Sequence, residues 1–120
     1  MDDKTTVKEL IAIADAFRKE RDWQKYHDPK ELSIALSIEA AELLELFRYT
    51  TKDEVLEYLK KKENLQKASH EVADVLYHVL LLAKDMGIDL SEAFKEKIRK
   101  TAEKYPIEKS FGRKTKYTEL

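Results

Sequence analysis

Glu39-Ala-Ala-Glu42 and Glu71-Val-Ala-Asp74 each set two carboxylates three residues apart. On a helix, positions i and i+3 share a face, so each pair presents its acids together. The surroundings of both pairs are greasy. On a wheel of about 100° per residue, Glu39 falls among Leu32, Ala35, Leu43 and Leu46, and Glu42 between Ala35 and Ile38. Glu71 lies beside His78 and Leu82, and Asp74 beside Leu81. The chain holds 23 Lys and Arg, yet neither Leu32–Phe47 nor Glu71–Ala83 contains one. Buried ionised carboxylates persist only when paired or bound to a metal. With no cation in either stretch, a divalent metal is the natural partner. Hard oxygen ligands, in a chain with no Cys, suit Mg²⁺ or Mn²⁺ rather than Zn²⁺.

The elements that must position these acids are helices. Only 2 Gly and 2 Pro in 120 residues, with few β-branched runs, predict an all-α chain of one domain's length. Hydrophobic residues make up 42%, enough for a core, and the 39% charged residues balance to a net −1. That balance argues against a nucleic-acid polymer as partner. The absence of Cys excludes a disulfide framework and a thiol nucleophile. The N-terminus lacks the apolar core of a signal peptide, and no run is long enough to span a membrane. A cytoplasmic protein without a membrane partner is expected.

In chain order, Thr6 and Glu9 predict the start of a first helix over Val7–Arg21, with Leu10, Ile11, Ile13, Ala14 and Phe17 as its apolar stripe. The connector that follows carries Trp23, Tyr26 and His27. Such an aromatic cluster either covers the end of a core or stacks a planar ligand. Asp28-Pro29 opens the first acidic helix, Pro29–Arg48, which is apolar nearly all round and so is expected to be buried. A short helix, Asp53–Lys61, is capped by Thr51. The second acidic helix spans Leu65–Met86 and stops at Gly87. Asp89 caps the last helix, which Pro106 ends. Leu90, Phe94, Ile98 and Tyr105 form its expected inward stripe, and Lys97 and Thr101 fall within it. An inward lysine either meets a phosphate or carboxylate or snorkels past the core edge. The chain thus reads as a helical domain over residues 1–106 and a basic tail over 107–120, which either frays or closes over an anionic ligand. Both acidic helices have more apolar surface than a small four-helix layer covers, which predicts a homodimer or homotetramer.

With both motifs in place, the chain resembles the MazG-like nucleoside triphosphate pyrophosphohydrolases, and within them the dCTP pyrophosphatases. The likeness covers FRKERDW with His27, EAAELLELF, EVADVLYHVLLLA, KYP and the terminal KYTEL. It implies a four-helix-bundle-like fold with helices paired across an oligomer interface. It also implies Mg²⁺-dependent cleavage of a nucleoside triphosphate between its α and β phosphates, with dCTP or a 5-modified dCTP favoured. Glu39, Glu42, Glu71 and Asp74 then hold the metal and carry catalysis. Lys97 and the region of Tyr105 match positions that grip the triphosphate. Trp23 and His27 match positions lining the nucleotide pocket. Three departures bear on base and sugar preference: Tyr49 where a second tryptophan is usual, His78 where a tyrosine is usual, and Thr101 where an asparagine is common.

Other readings stay open. One is a dUTP-directed or broad-range pyrophosphatase of the same fold. Another is a non-catalytic helical oligomer whose acids form inter-subunit salt bridges. A di-iron carboxylate bundle would need two Glu-x-x-His motifs, and neither acidic pair supplies one.

Overall fold

The computed structural model describes all 120 residues. It contains six α-helices: α1 (Val7–Glu20), α2 (Pro29–Glu45), α3 (Lys52–Lys60), α4 (Lys62–Met86), α5 (Leu90–Lys104) and α6 (Ile107–Ser110). Two 3-10 turns, Gln24–Tyr26 and Tyr117–Glu119, complete the regular structure, which has no strand. No helix is long and apolar enough to cross a membrane.

The helices begin where side chains satisfy their free N–H groups. Thr6 accepts from the Glu9 amide, Asp28 from Glu31, Thr51 from Glu54 and Asp89 from Glu92, at 2.8–3.2 Å. Gly87 ends α4 with φ at 67°, a left-handed conformation that costs glycine little. The Ile88 amide then reaches back to the Ala83 carbonyl at 2.9 Å, closing a Schellman turn. α4 begins three residues earlier than its apolar pattern suggests. There Asn64 donates to the Tyr58 carbonyl at 2.9 Å, so the start of α4 caps the end of α3. α2 ends three residues early, at Glu45, because its last turn tightens to i→i+3 bonds ahead of Tyr49, a left-handed residue at φ 62°.

The chain divides into two compact units, Met1–Ile88 and Asp89–Leu120. In the first, α4 is the central element, and α1, α2 and α3 all pack on it. The buried apolar residues are Ala14, Leu32, Ala68, Leu80, Leu81 and Ala83, of which Leu32 and Leu81 are fully enclosed. The expectation that α2 is buried on most sides is met only at Leu32; Ile34, Ile38 and Leu44 stand 47%, 54% and 69% exposed. The reason is geometric: α2 lies mainly against α4, and one helix covers one stripe of another.

In the second unit, α5 carries the stripe expected to face inward. Phe94 and Ile98 on it are exposed at 68% and 54%, and Lys97 is exposed as well. No other long helix lies within that unit to cover them. α6 and the final 3-10 turn bring the Tyr117 ring edge-on to Tyr105, centroids 5.9 Å apart, with Lys104 Nζ 4.7 Å from the Tyr117 ring centre.

Candidate active site

α2 and α4 pack side by side, and Glu39 and Glu42 from α2 meet Glu71 from α4. The apolar sequence around each pair predicts burial of the acids, and packing draws in only one from each pair, Glu39 and Glu71. One carboxylate oxygen from each of Glu39, Glu42 and Glu71 lies within 4.8 Å of the others. Glu39 and Glu71 are half-buried and Glu42 is exposed. The Oε2 atoms of Glu39 and Glu71 are sealed from solvent and have no hydrogen-bond partner. Asp74 lies one turn beyond Glu71, exposed, and stands outside this closest trio. It is the one charged residue on the wall of an open apolar groove of about 410 Å³ between α1 and α4.

The trio is under electrostatic stress. Burial, then the adjoining Glu42 carboxyl, then the charges of Asp74 and Glu71 push Glu39 up to about 7. Burial also raises Glu71, reinforced by Glu42 and Asp74. None of the four acids takes part in any of the chain's ion pairs. Glu45, exposed at the end of α2, is also unpaired. Crowded hard-oxygen ligands with orphaned lone pairs fit a divalent cation, which would supply the missing partners. The acid cluster can therefore coordinate such an ion.

Next to the acids lies a run of aromatic rings. His78 Nδ1 donates to the Asp74 carbonyl at 2.8 Å. The Tyr77 ring meets His78 edge-on at 5.0 Å and Phe17 at 5.9 Å, and Phe17 meets Trp23 at 5.6 Å. Trp23, His78 and the acidic helix thus belong to one contiguous surface of the first unit. Tyr49 stands apart from that run. It is 87% exposed, under the Arg48 guanidinium at 4.5 Å from the ring centre. Lys97, Thr101 and Tyr105 belong to the second unit, on α5 and its C-terminal cap, with Thr101 and Tyr105 half-buried.

A second charged cluster escaped sequence reasoning. Arg18 is only 4% exposed. It donates through Nε to Asp15 at 2.9 Å and through both terminal nitrogens to Asp85 at 2.9 and 2.5 Å. A third contact, 3.5 Å to His27 Nδ1, makes that nitrogen the acceptor of the neutral ring. Burial, and then the Arg18 charge, hold His27 below the usual imidazole range, partly opposed by Asp85. Lys19 bonds the other oxygen of Asp15 at 2.8 Å. The i, i+3 spacing of Asp15 and Arg18 was a visible signal, but nothing in the local pattern pointed to Asp85, 67 residues away.

Residues 34–120 match the MazG-like family. The chain is 31% identical over 115 residues to dCTP pyrophosphatase 1 of Mus musculus, covering 96% of this chain and 68% of that protein. The Homo sapiens protein of the same name gives the same identity and coverage. Among solved structures, a pyrophosphatase from Archaeoglobus fulgidus is 43% identical, with a TM-score of 0.76 over 82% of this chain and 91% of that one. The family match spans both acidic motifs and most of the chain shares the fold of the solved pyrophosphatase, so the chain belongs to the MazG-like family and has its all-α pyrophosphohydrolase fold.

Proposed function

We propose that this protein is a Mg²⁺-dependent nucleoside triphosphate pyrophosphohydrolase that cleaves between the α and β phosphates, releasing a monophosphate and pyrophosphate. The observation that carries this reading is the pair of sealed, partnerless oxygens on Glu39 and Glu71, facing a third acid. A structural role within the chain would call for matching lysines or arginines, and none of the chain's ion pairs includes these acids.

Glu39, Glu71 and Asp74 would hold the ion. When bound, the ion would neutralise phosphate charge and make a water nucleophilic near neutral pH. Glu42, the exposed member of the trio, is the acid we assign, in place of a ligand role, to orienting the attacking water and taking up its proton. Trp23 offers a partly exposed ring for stacking a base, a contact worth about 1–3 kcal/mol in other nucleotide binders. The family resemblance assigns Lys97 and the region of Tyr105 to the phosphate end of the substrate, and Thr101 is one of the departures that bear on base and sugar preference.

The preferred substrate we propose is dCTP or a 5-modified dCTP, on the strength of the relatives named dCTP pyrophosphatase. His78 and Tyr49, which depart from the usual tyrosine and tryptophan, favour testing dUTP and a broad range beside it. Incubation with each nucleotide and Mg²⁺ should yield monophosphate plus pyrophosphate. Stepwise release of orthophosphate would overturn the assigned bond. We also propose a homodimer or homotetramer, because Ile34, Ile38, Leu44, Phe94 and Ile98 leave apolar surface uncovered in the single chain. Light scattering at micromolar concentration tests this, and a monomer would refute it.

A further inference from the structure

The connector between α1 and α2 is pinned at both ends to one residue. The Trp23 amide donates to the Arg18 carbonyl at 2.9 Å. The His27 ring receives the Arg18 guanidinium. The same guanidinium grips Asp85 near the end of α4 with two bonds. One buried cation therefore ties the first helix, the aromatic connector and the acid-bearing helix together. We propose that Arg18, set by Asp15 and Asp85, is a positioning residue that latches the connector carrying Trp23 and His27 onto α4, and that the latch holds only while His27 is neutral.

The chemistry follows from the donor inventory. Arg18 has donors only, so His27 can join the cluster only through an unprotonated Nδ1. A protonated ring would set a second cation 3.5 Å from a guanidinium sealed from solvent. The charged groups around His27 are Arg18 from α1, with Asp15 and Lys19 behind it, and Asp85, Lys84 and His78 from α4. Asp85 favours the proton, but it is already occupied by two Arg18 bonds. Folding keeps His27 neutral, so its contribution is complete above the ordinary value of 6.5 and is lost as pH falls below it.

The functional side of this inference rests on reading Trp23 and His27 as nucleotide-facing, but the latch itself has a readout independent of activity. Trp23 is the only tryptophan in the chain, so its fluorescence reports the connector directly. In Arg18→Lys and Asp85→Asn, each checked for native helix content by circular dichroism, Trp23 emission should move to longer wavelength. KM for the nucleotide should rise about tenfold, with kcat changed less than about threefold. The native protein should show the same emission shift between about pH 7 and pH 5. His27→Asn retains an acceptor in place of Nδ1 and cannot titrate, so it should keep native emission across that range. Folded variants with native emission would overturn the latch, whether or not the protein turns over nucleotide. So would an acid shift that persists in His27→Asn.

Discussion

Two clusters of charge sit on α4, and they resolve burial in opposite ways. Around Arg18, every buried charge is matched within the chain: two carboxylates meet one guanidinium, with a neutral imidazole and a lysine at the margin. Asp15 and Asp85 are correspondingly held below the usual carboxylate range, chiefly by their hydrogen bonds to Lys19 and Arg18 respectively. Around Glu39 and Glu71, like charges face one another and both acids are pushed up. A closed network fastens helices. An open one is incomplete until something enters from solution. Both clusters draw a carboxylate from α4, Asp85 in one and Glu71 in the other, so the helix does not separate them; the presence or absence of an internal counter-charge does.

The sharpest way to break the contrast is to neutralise the open cluster. Asp74→Asn or Glu71→Gln should cost on the order of 10³-fold in turnover, equivalent to about 4 kcal/mol of transition-state stabilisation, with helix content retained. Retained activity would refute the metal assignment. Next in size is the closed cluster. Arg18→Ala leaves two carboxylates without their partner and should cost about 3–5 kcal/mol in unfolding free energy, measured by urea denaturation. A loss below about 1 kcal/mol would show that Arg18 does not fasten the helices.

The third comparison uses pH. Glu39 and Glu71 bind protons more tightly when folded than when unfolded, so their contribution is complete below the unfolded value of 4.5. It is lost as pH rises, through about 7 for Glu39. The metal-free protein should therefore melt roughly 5 °C lower at pH 8 than at pH 5.5. Mg²⁺ should restore most of that difference, and Glu39→Gln should remove it. An equal pH response in Glu39→Gln would place its origin elsewhere. This trend opposes that of His27, so the melts belong in a His27→Asn background. The smallest effect is expected away from both clusters. Tyr49→Gly removes a left-handed, non-glycine strain of about 1 kcal/mol and should raise the melting temperature slightly. A marked fall would mean that the exposed ring packs against another chain.

The open cluster was legible because each half is local. Two acids at i, i+3 spacing, inside a stretch without lysine or arginine, can be read before the helices are paired. The four N-terminal caps and Gly87 were legible for the same reason: each acts within a few residues. The closed cluster was not. Arg18 reads as one more charge on the polar side of an amphipathic helix until α1 packs on α4 and brings Asp85 to it. The exposed faces of α2 and α5 mark another boundary. Periodicity shows that a helix has an apolar side, but what covers that side is a property of the assembled fold.

The 4.8 Å spacing among Glu39, Glu42 and Glu71 has a consequence for ion choice. Three carboxylates at that separation hold up to three negative charges when fully ionised, so a sodium or potassium ion would leave most of the repulsion in place. A doubly charged ion removes far more of it and is favoured even against a large excess of monovalent salt. A metal site built this way would discriminate by valence before any substrate arrives, and raising sodium chloride should not mimic the thermal protection expected from millimolar magnesium.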